Sequence, residues 1–140
     1  MIKLIYGHER HEHPELMDAM HRLRKQVFHD RLRWEVSVAG DWEIDTFDDE
    51  DPLYVLCLDN ELQLQGSLRL LPTTGPNMLR DVFNQITKDF GAVSNPLVWE
   101  SSRFCIRMTG GSDQRESQLI SKATVELIAR MGEVGLLAGI

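Results

Sequence analysis

The chain has 140 residues, of which 42% are hydrophobic and 26% are charged, a composition typical of one soluble globular domain spanning residues 1–140. Its formal net charge of −7 argues against broad binding of nucleic acid, because neutralising phosphates requires a basic face. No stretch approaches the ~20 consecutive apolar residues of a membrane span, and the N-terminus is unlike a signal peptide. We therefore expect a cytoplasmic protein without a membrane partner.

Residues 1–51 predict a strand, a helix and a long loop. Ile2 to Tyr6 is a short apolar strand, and Pro14 suits the first turn of a helix. That helix has an apolar stripe at spacings of four, three and four: Leu16, Met20, Leu23 and Val27. Residues 29–51 show no sustained period, but Trp34 and Trp42 favour an ordered segment, and a loop of this length is usually functional or disordered.

Residues 53–106 predict a hairpin followed by a third long strand. Leu53 to Leu58 is a continuous apolar run, and Asp59-Asn60 is a turn pair. The next strand alternates leucines with polar residues, through Leu62, Leu64, Leu68 and Leu70. Residues 78–84 predict a short helix, and Leu97 to Ile106 predicts a further strand.

The remaining pattern predicts a helix and the start of another strand. The helical stripe is formed by Leu119, Ile120, Ala123, Leu127, Ile128 and Met131. Residues 136–140 have the composition of a strand that is beginning, so we expect a C-terminal portion of the domain to be missing. The order of elements predicts an α+β fold, with a mainly antiparallel sheet flanked by helices.

The cysteines and histidines do not predict a metal site. Cys57 and Cys105 both lie inside apolar runs, which favours buried thiols over a disulfide or a metal centre. The histidines of residues 8–13 lack the helical spacing of a zinc protease and favour a solvated loop.

The pattern of the strand around Glu100 can be interpreted in two ways. Glu, Ser, Ser and Arg stand consecutively at its centre, which is rare unless they line a site, because buried charges need partners. Glu100 and Arg103 are an odd number of residues apart, so they share one cleft only if a bulge intervenes. A salt-bridged edge strand is the other interpretation, and both stay open at this point.

Two further charged segments can also be interpreted either as functional or as ordinary surface. Residues 42–48 place three carboxylates beside Trp42 and Phe47, a pattern that suits gripping an ammonium or sulfonium cation, but also a plain acidic surface loop. Basic residues cluster earlier, and they fit either a docking surface for an acidic partner or a solvated helix end: Arg22, Arg24, Lys25, Arg31 and Arg33.

In this order and spacing, these segments resemble those of the acyl-homoserine-lactone synthases, from about residue 1 to residue 131. The resemblance rests on Arg24, Val27, Phe28, Trp34, Glu43, Asp45, Phe47, Asp48, Gly66, Arg69, Leu70, the run from Pro72 to Leu79 and the run from Trp99 to Phe104. It implies a fold similar to the Gcn5-related N-acetyltransferases and a chemistry that joins S-adenosylmethionine to an acyl thioester to make a quorum-sensing signal.

The resemblance also implies roles for individual residues. The implied catalytic residues are Glu43, Asp45, Asp48, Arg69, Glu100 and Arg103. The implied substrate-binding residues are Arg24, Phe28, Trp34, Ser102, Phe104 and Cys105. No cofactor is implied, since S-adenosylmethionine is itself a substrate. The implied acyl donor is acyl carrier protein or acyl-coenzyme A, and we expect Lys25, Arg31 and Arg33 to help dock the acidic carrier.

The implied reaction fits these residue types. Glu100 suits a general base for the amino group, and backbone N–H groups near a bulge at residues 102–105 suit the oxyanion. Closure of the lactone then expels methylthioadenosine. Residues 114–118 lack the Gly-rich pyrophosphate signature of ordinary acetyltransferases, which disfavours a simple acetyl-coenzyme A enzyme. An N-acyltransferase for another amine and a form that only binds ligand are the alternatives.

Overall fold

The computed structural model describes residues 1–85, 93–107 and 129. Its helices and strands, in chain order, are β1 (Ile2–Tyr6), α1 (Pro14–Arg24), β2 (Val38–Ala39), β3 (Trp42–Glu43), β4 (Leu53–Leu58), β5 (Leu64–Pro72), α2 (Met78–Asp81) and β6 (Trp99–Ile106). Short 3₁₀ helices cover Gly7–Glu12 and Thr46–Asp49, and a π-helix covers Lys25–Arg31.

Four strands form one antiparallel sheet in the order β1-β4-β5-β6. All six residues of β4 are buried, which explains why this central strand reads as a continuous apolar run. The predicted hairpin of β4 and β5 is confirmed, but Leu62 is not part of its second strand. It lies in the turn with φ of 62°, and Asp59 closes that turn by accepting hydrogen bonds from the backbone N–H groups of Glu61 and Gln63, both at 2.9 Å.

Helix α1 packs its apolar stripe on one face of the sheet. Met20 and Leu23 are buried against Ile5, Tyr54 and Leu56, so the stripe predicted from the sequence is confirmed. The helix then widens into the π-helix, and π-helical turns occur frequently at functional sites. The segment predicted as a long ordered loop therefore contains the end of the π-helix, the small β2–β3 hairpin and a 3₁₀ helix.

The other predictions for elements have mixed outcomes. The short helix is confirmed as α2, and the strand predicted from Leu97 begins two residues later at Trp99. The helical stripe of residues 119–131, apart from the helical Ala129, and the strand predicted from Leu136 lie outside the described residues. Both cysteines are buried, as predicted.

The described ranges contain neither a membrane-spanning helix nor a metal-binding cluster. Within residues 1–85 and 93–107, no helix is both long and apolar enough to cross a membrane. No group of three or more His, Cys, Asp and Glu side chains is arranged to hold a metal ion in the same part of the chain.

Candidate active site

Strand β6 contains a bulge within the predicted site segment. Ser67 pairs with Cys105 and Arg69 pairs with Ser102, so β6 has one residue more than β5 between these pairs. The extra residue is absorbed at Arg103, whose φ is 55°. The bulge that the sequence required for a shared cleft is therefore present, and β6 is also the outermost strand of the described sheet with Arg103 in salt bridges, as the other interpretation expected.

Arg24 lies at the centre of a buried ionic network. Its side chain is 1% exposed, and its Nε donates to Glu43, which is 0% exposed. Its two terminal nitrogens donate to the two oxygens of Asp48 at 2.8 and 2.9 Å, a bidentate contact. Burial lowers the pKa of Arg24, but the contacts with Asp48 and Glu43 outweigh it and raise the pKa above the ordinary value.

Arg69 and Arg103 extend the network from β5 and β6. Arg69 donates to both oxygens of Asp45 at 2.6 and 3.1 Å and lies 3.0 Å from an oxygen of Asp48. Arg103 donates from Nε to Glu43 at 3.0 Å and from a terminal nitrogen to Asp45 at 2.9 Å. Three guanidinium groups are thus matched by three carboxylates, and the network is electrically balanced.

Asp48 is held ionised by this arrangement. Burial alone raises the pKa of Asp48, but the hydrogen bonds and charge of Arg24, with the charge of Arg69, hold it well below the ordinary value. The Tyr54 hydroxyl also donates to Asp48 at 2.9 Å. Burial, followed by the Asp48 charge and this hydrogen bond, raises the pKa of Tyr54, so the phenol stays protonated.

An aromatic pair borders the network at Arg103. Phe28 and Trp34 stack with ring centroids 5.2 Å apart, and the Arg103 guanidinium lies 5.6 Å from the Phe28 ring. Phe28 is buried at 4% exposure, whereas Trp34 is 53% exposed. The pair therefore offers an open aromatic face next to buried charges.

Glu100 lies outside the network, at the start of α2. Its two carboxylate oxygens accept hydrogen bonds from the backbone N–H groups of Met78, at 3.1 Å, and of Leu79. The Met78 sulfur in turn accepts from Arg69 at 3.4 Å and from Arg103 at 3.6 Å. Met78 thus links the Glu100 carboxylate to the arginine side of the network.

An apolar groove of about 370 Å³ opens beside Glu100. Its polar lining residues are Thr73, Glu100, Ser101 and Ser102. Apolar side chains make the rest of the lining, namely Met78, Leu79, Phe83, Val93, Val98 and Trp99. Most of these residues come from α2 and β6, so the bulged strand presents both the carboxylate and the groove.

The other predicted residues of β6 are placed differently from one another. The Ser102 hydroxyl accepts from Arg69 Nε at 3.2 Å, and Phe104 is 39% exposed. Cys105 is 3% exposed and packs in the core, with its Sγ 3.3 Å from the Ser67 hydroxyl. Burial raises the pKa of the Cys105 thiol, so the side chain is not a thiolate at neutral pH.

The basic cluster is only partly paired. Lys25 lies 3.3 Å from Asp30, and Arg22 contacts Asp18 at 2.9 Å. Arg31 and Arg33 are exposed.

Sequence reasoning missed three residues of this region. Tyr54 is the one hydroxyl-bearing residue in the apolar run of β4, and a buried hydroxyl requires a partner. His21 lies beside the apolar stripe of α1 and contacts Glu43. Met78 lies in the run from Pro72 to Leu79 that carries the resemblance, but its contacts with the arginines gave no signal, because a methionine in a turn-rich segment is chemically unremarkable in sequence.

Comparisons with known proteins identify the family of this chain. Residues 7–139 match the family model described as autoinducer synthase. The chain belongs to the autoinducer synthase family. An acyl-homoserine-lactone synthase of Rhizobium etli is 40% identical over 124 residues, covering 88% of this chain and 57% of the relative. One from Pseudomonas aeruginosa is 38% identical over 124 residues, covering 87% and 60%.

Solved autoinducer synthases have the same fold. The crystal structure of the synthase LasI matches with a TM-score of 0.83 and 34% identity, covering all of this chain and 68% of that one. The coenzyme A-dependent synthase BjaI, solved with S-adenosylmethionine and isopentyl-CoA, matches with a TM-score of 0.83 and 33% identity, covering 100% and 63%. The predicted α+β fold with a mainly antiparallel sheet, and the resemblance to this family, are therefore confirmed.

The chain matches only part of the length of these relatives. This chain spans 57% and 60% of the length of the two curated relatives.

Proposed function

We propose that this autoinducer synthase joins S-adenosylmethionine to an acyl thioester and closes an acyl-homoserine lactone, with release of methylthioadenosine. The observation that carries the proposal is the bulge in β6. It brings the balanced ionic network, the Phe28–Trp34 pair and the Glu100 groove to one strand. A charged, zwitterionic substrate and an apolar acyl chain require these two kinds of surface side by side.

Acyl transfer takes place beside Glu100 in this proposal. The amino nitrogen of S-adenosylmethionine attacks the thioester carbonyl carbon, and Glu100 takes a proton from that nitrogen. The C–S bond then breaks, and the leaving sulfur receives that proton from Glu100 and departs as the carrier thiol. Each oxygen of Glu100 already accepts one backbone hydrogen bond and has a lone pair left for the substrate. The adjacent groove receives the acyl chain, because its lining is predominantly apolar.

The network divides into a buried frame and an accessible pair. The side chains of Arg24, Glu43 and Asp48 are at most 1% exposed, whereas Asp45 is 13% and Arg103 is 10% exposed. We infer that Asp45 and Arg103 meet the charged ends of the substrate. Arg24, predicted as a substrate-binding residue, then belongs to the frame with Glu43 and Asp48, and Arg69, 1% exposed, orients Asp45.

Lactone closure needs orientation more than acid or base. The methionine carboxylate oxygen attacks its own γ-carbon, and the bond from that carbon to the sulfonium sulfur breaks, with both electrons leaving on methylthioadenosine. The exposed face of Trp34, stacked on Phe28, suits the sulfonium cation or the adenine ring. Holding the carboxylate near the γ-carbon supplies most of the acceleration for such an intramolecular step.

The acyl donor is a carrier protein or coenzyme A in this proposal, and both reach the protein in the cytoplasm. Arg31 and Arg33 are exposed and suit an acidic carrier, and Lys25 contributes less because Asp30 lies 3.3 Å away. Among the relatives, BjaI was solved with an acyl-coenzyme A and is described as coenzyme A-dependent. The proposed partners include neither nucleic acid nor membrane.

The test supplies S-adenosylmethionine with acyl carrier protein thioesters or acyl-coenzyme A and measures lactone and methylthioadenosine by mass spectrometry. Glu100→Gln is expected to lower kcat by about 10² to 10⁴, the usual contribution of a general base. Glu61→Gln, in the exposed β4–β5 turn, is the matched control and is expected to keep the wild-type rate. Acyl amide without methylthioadenosine would identify a different N-acyltransferase, and a wild-type rate in Glu100→Gln would remove the base.

A further inference from the structure

Glu43 lies in a small hairpin that is not stable by itself. Its carboxylate joins Arg24 to Arg103, so its position sets the distance between the buried frame and the accessible pair. Yet Glu43 lies in β3, a strand of two residues that pairs with the two-residue β2 and not with the main sheet. A two-stranded hairpin of this size is not stable by itself.

His21 of α1 makes a hydrogen bond to this hairpin at the Glu43 backbone. Its Nδ1 lies 2.9 Å from the Glu43 backbone oxygen, and the imidazole is buried at 3% exposure. A carbonyl oxygen only accepts hydrogen bonds, so Nδ1 carries the proton and donates. The His21 ring also stacks on Trp42, the neighbour of Glu43 in β3, with centroids 5.2 Å apart.

Apart from the buried Arg24–Glu43 ion pair, the other described side-chain contacts between α1 and the hairpin lie at the surface. Trp42 Nε1 donates to Asp18 at 2.8 Å, and Arg22 contacts Asp41 at 2.7 Å, with side chains 47% and 69% exposed. Exposed ion pairs of this kind contribute little. Among the described contacts of the hairpin with α1, the His21 hydrogen bond is the buried one made to the Glu43 backbone, whereas Arg24 contacts the Glu43 carboxylate.

The imidazole is neutral in this setting. Burial, followed by the nearby positive charge of Arg24, lowers the pKa of His21 below its ordinary value. His21 therefore adds a directed hydrogen bond without adding a charge to the balanced network.

We propose that His21 is a positioning residue for Glu43: its Nδ1–H holds the Glu43 carbonyl and thereby fixes the carboxylate between Arg24 and Arg103. This inference rests on the proposed function for its catalytic consequence, because the accessible Arg103 is oriented by Glu43. A displacement near 1 Å at such a site lowers a rate by about 10².

Two substitutions separate the hydrogen bond from the packing. His21→Asn keeps an N–H donor near the position of Nδ1 and loses the ring, whereas His21→Phe keeps the ring over Trp42 and loses the donor. We expect His21→Phe to lower kcat by about 10-fold or more, with a smaller change in the KM for S-adenosylmethionine, and His21→Asn to recover most of kcat. Asp18→Asn, which weakens only the surface contacts, is the control and is expected to keep the wild-type kcat.

A second measurement does not depend on turnover. The Arg24 Nε–H donates to Glu43, so its NMR signal reports the position of that carboxylate. The signal is expected to shift in His21→Phe and to stay in His21→Asn. If His21 acts only through packing, His21→Asn rather than His21→Phe will have the lower kcat and the shifted Arg24 signal. That result would overturn the proposal.

The two levels of the proposal fail in different ways. Wild-type protein that forms neither lactone nor methylthioadenosine would remove the proposed function, and the Arg24 signal alone would then decide the role of His21. Normal lactone synthesis with an unchanged Arg24 signal in His21→Phe would remove only the positioning role. If His21→Phe does not fold, a kcat in His21→Asn lowered by about 10-fold or more, with a shifted Arg24 signal, is enough to reject it.

Discussion

Replacing Arg24 by methionine tests how much stability depends on the buried network. Methionine keeps a long apolar stem but removes the bonds to Glu43 and Asp48. Glu43 is left with Arg103, and Asp48 with Arg69 and Tyr54, so three carboxylates face two guanidinium groups. Breaking a buried ion pair by removing one partner costs about 3 to 5 kcal/mol, a large part of the roughly 5 to 15 kcal/mol that stabilises a domain.

Urea denaturation followed by circular dichroism measures this loss. With a slope of about 2 kcal/mol per molar urea, Arg24→Met should lower the midpoint by roughly 1.5 to 2.5 M at pH 7. The loss should shrink toward pH 4, because a carboxylate left without its partner takes up a proton more readily and its buried charge disappears.

Arg22→Met is the matched control on the same helix. Arg22 is 47% exposed and pairs with Asp18 and Asp41 at the surface, so its midpoint should stay within the scatter of the wild type. A midpoint in Arg24→Met within about 0.5 M of the wild type, or a loss that stays constant between pH 7 and pH 4, would refute the argument that stranded carboxylates carry the effect.

Three further perturbations have defined outcomes. A urea titration at a series of pH values should show the free energy of unfolding falling as the pH drops below 6.5, because His21 is protonated more readily in the unfolded chain. The free energy should fall further below pH 3.8, because Asp48 takes up a proton on unfolding. A free energy of unfolding that does not change with pH would contradict both pKa directions. Gly7→Ala should lower the melting temperature in calorimetry by the equivalent of about 1 to 3 kcal/mol, since a Cβ there would stand 2.9 Å from the Asp51 Cα, and an unchanged melting temperature would mean that this backbone moves easily. Reversing the charge of Arg31 and Arg33 together should raise the KM for the acyl carrier protein, more strongly at low salt, whereas a KM unaltered at every ionic strength would remove the docking role without affecting the chemistry.

The sequence by itself determined the local elements and pointed to the charged residues of the network. Apolar periodicity predicted α1, β4 and β5, because each element buries one face or both faces. Burial of a face fixes the spacing of apolar residues that are close together in the sequence. The charged residues of segments 43–48 and 100–103 stood out for a related reason. A charge within a buried segment needs a partner, even when the partner is far along the chain.

Only the tertiary structure decided which groups meet. Arg24, Arg69 and Arg103 are chemically equivalent in sequence, and the strand order and the bulge at Arg103 select their carboxylates. The same packing separates Glu100 from the network and places it on the amides of α2. Partner choice depends on contacts between residues 19 to 60 positions apart, and no local pattern encodes distances across such separations.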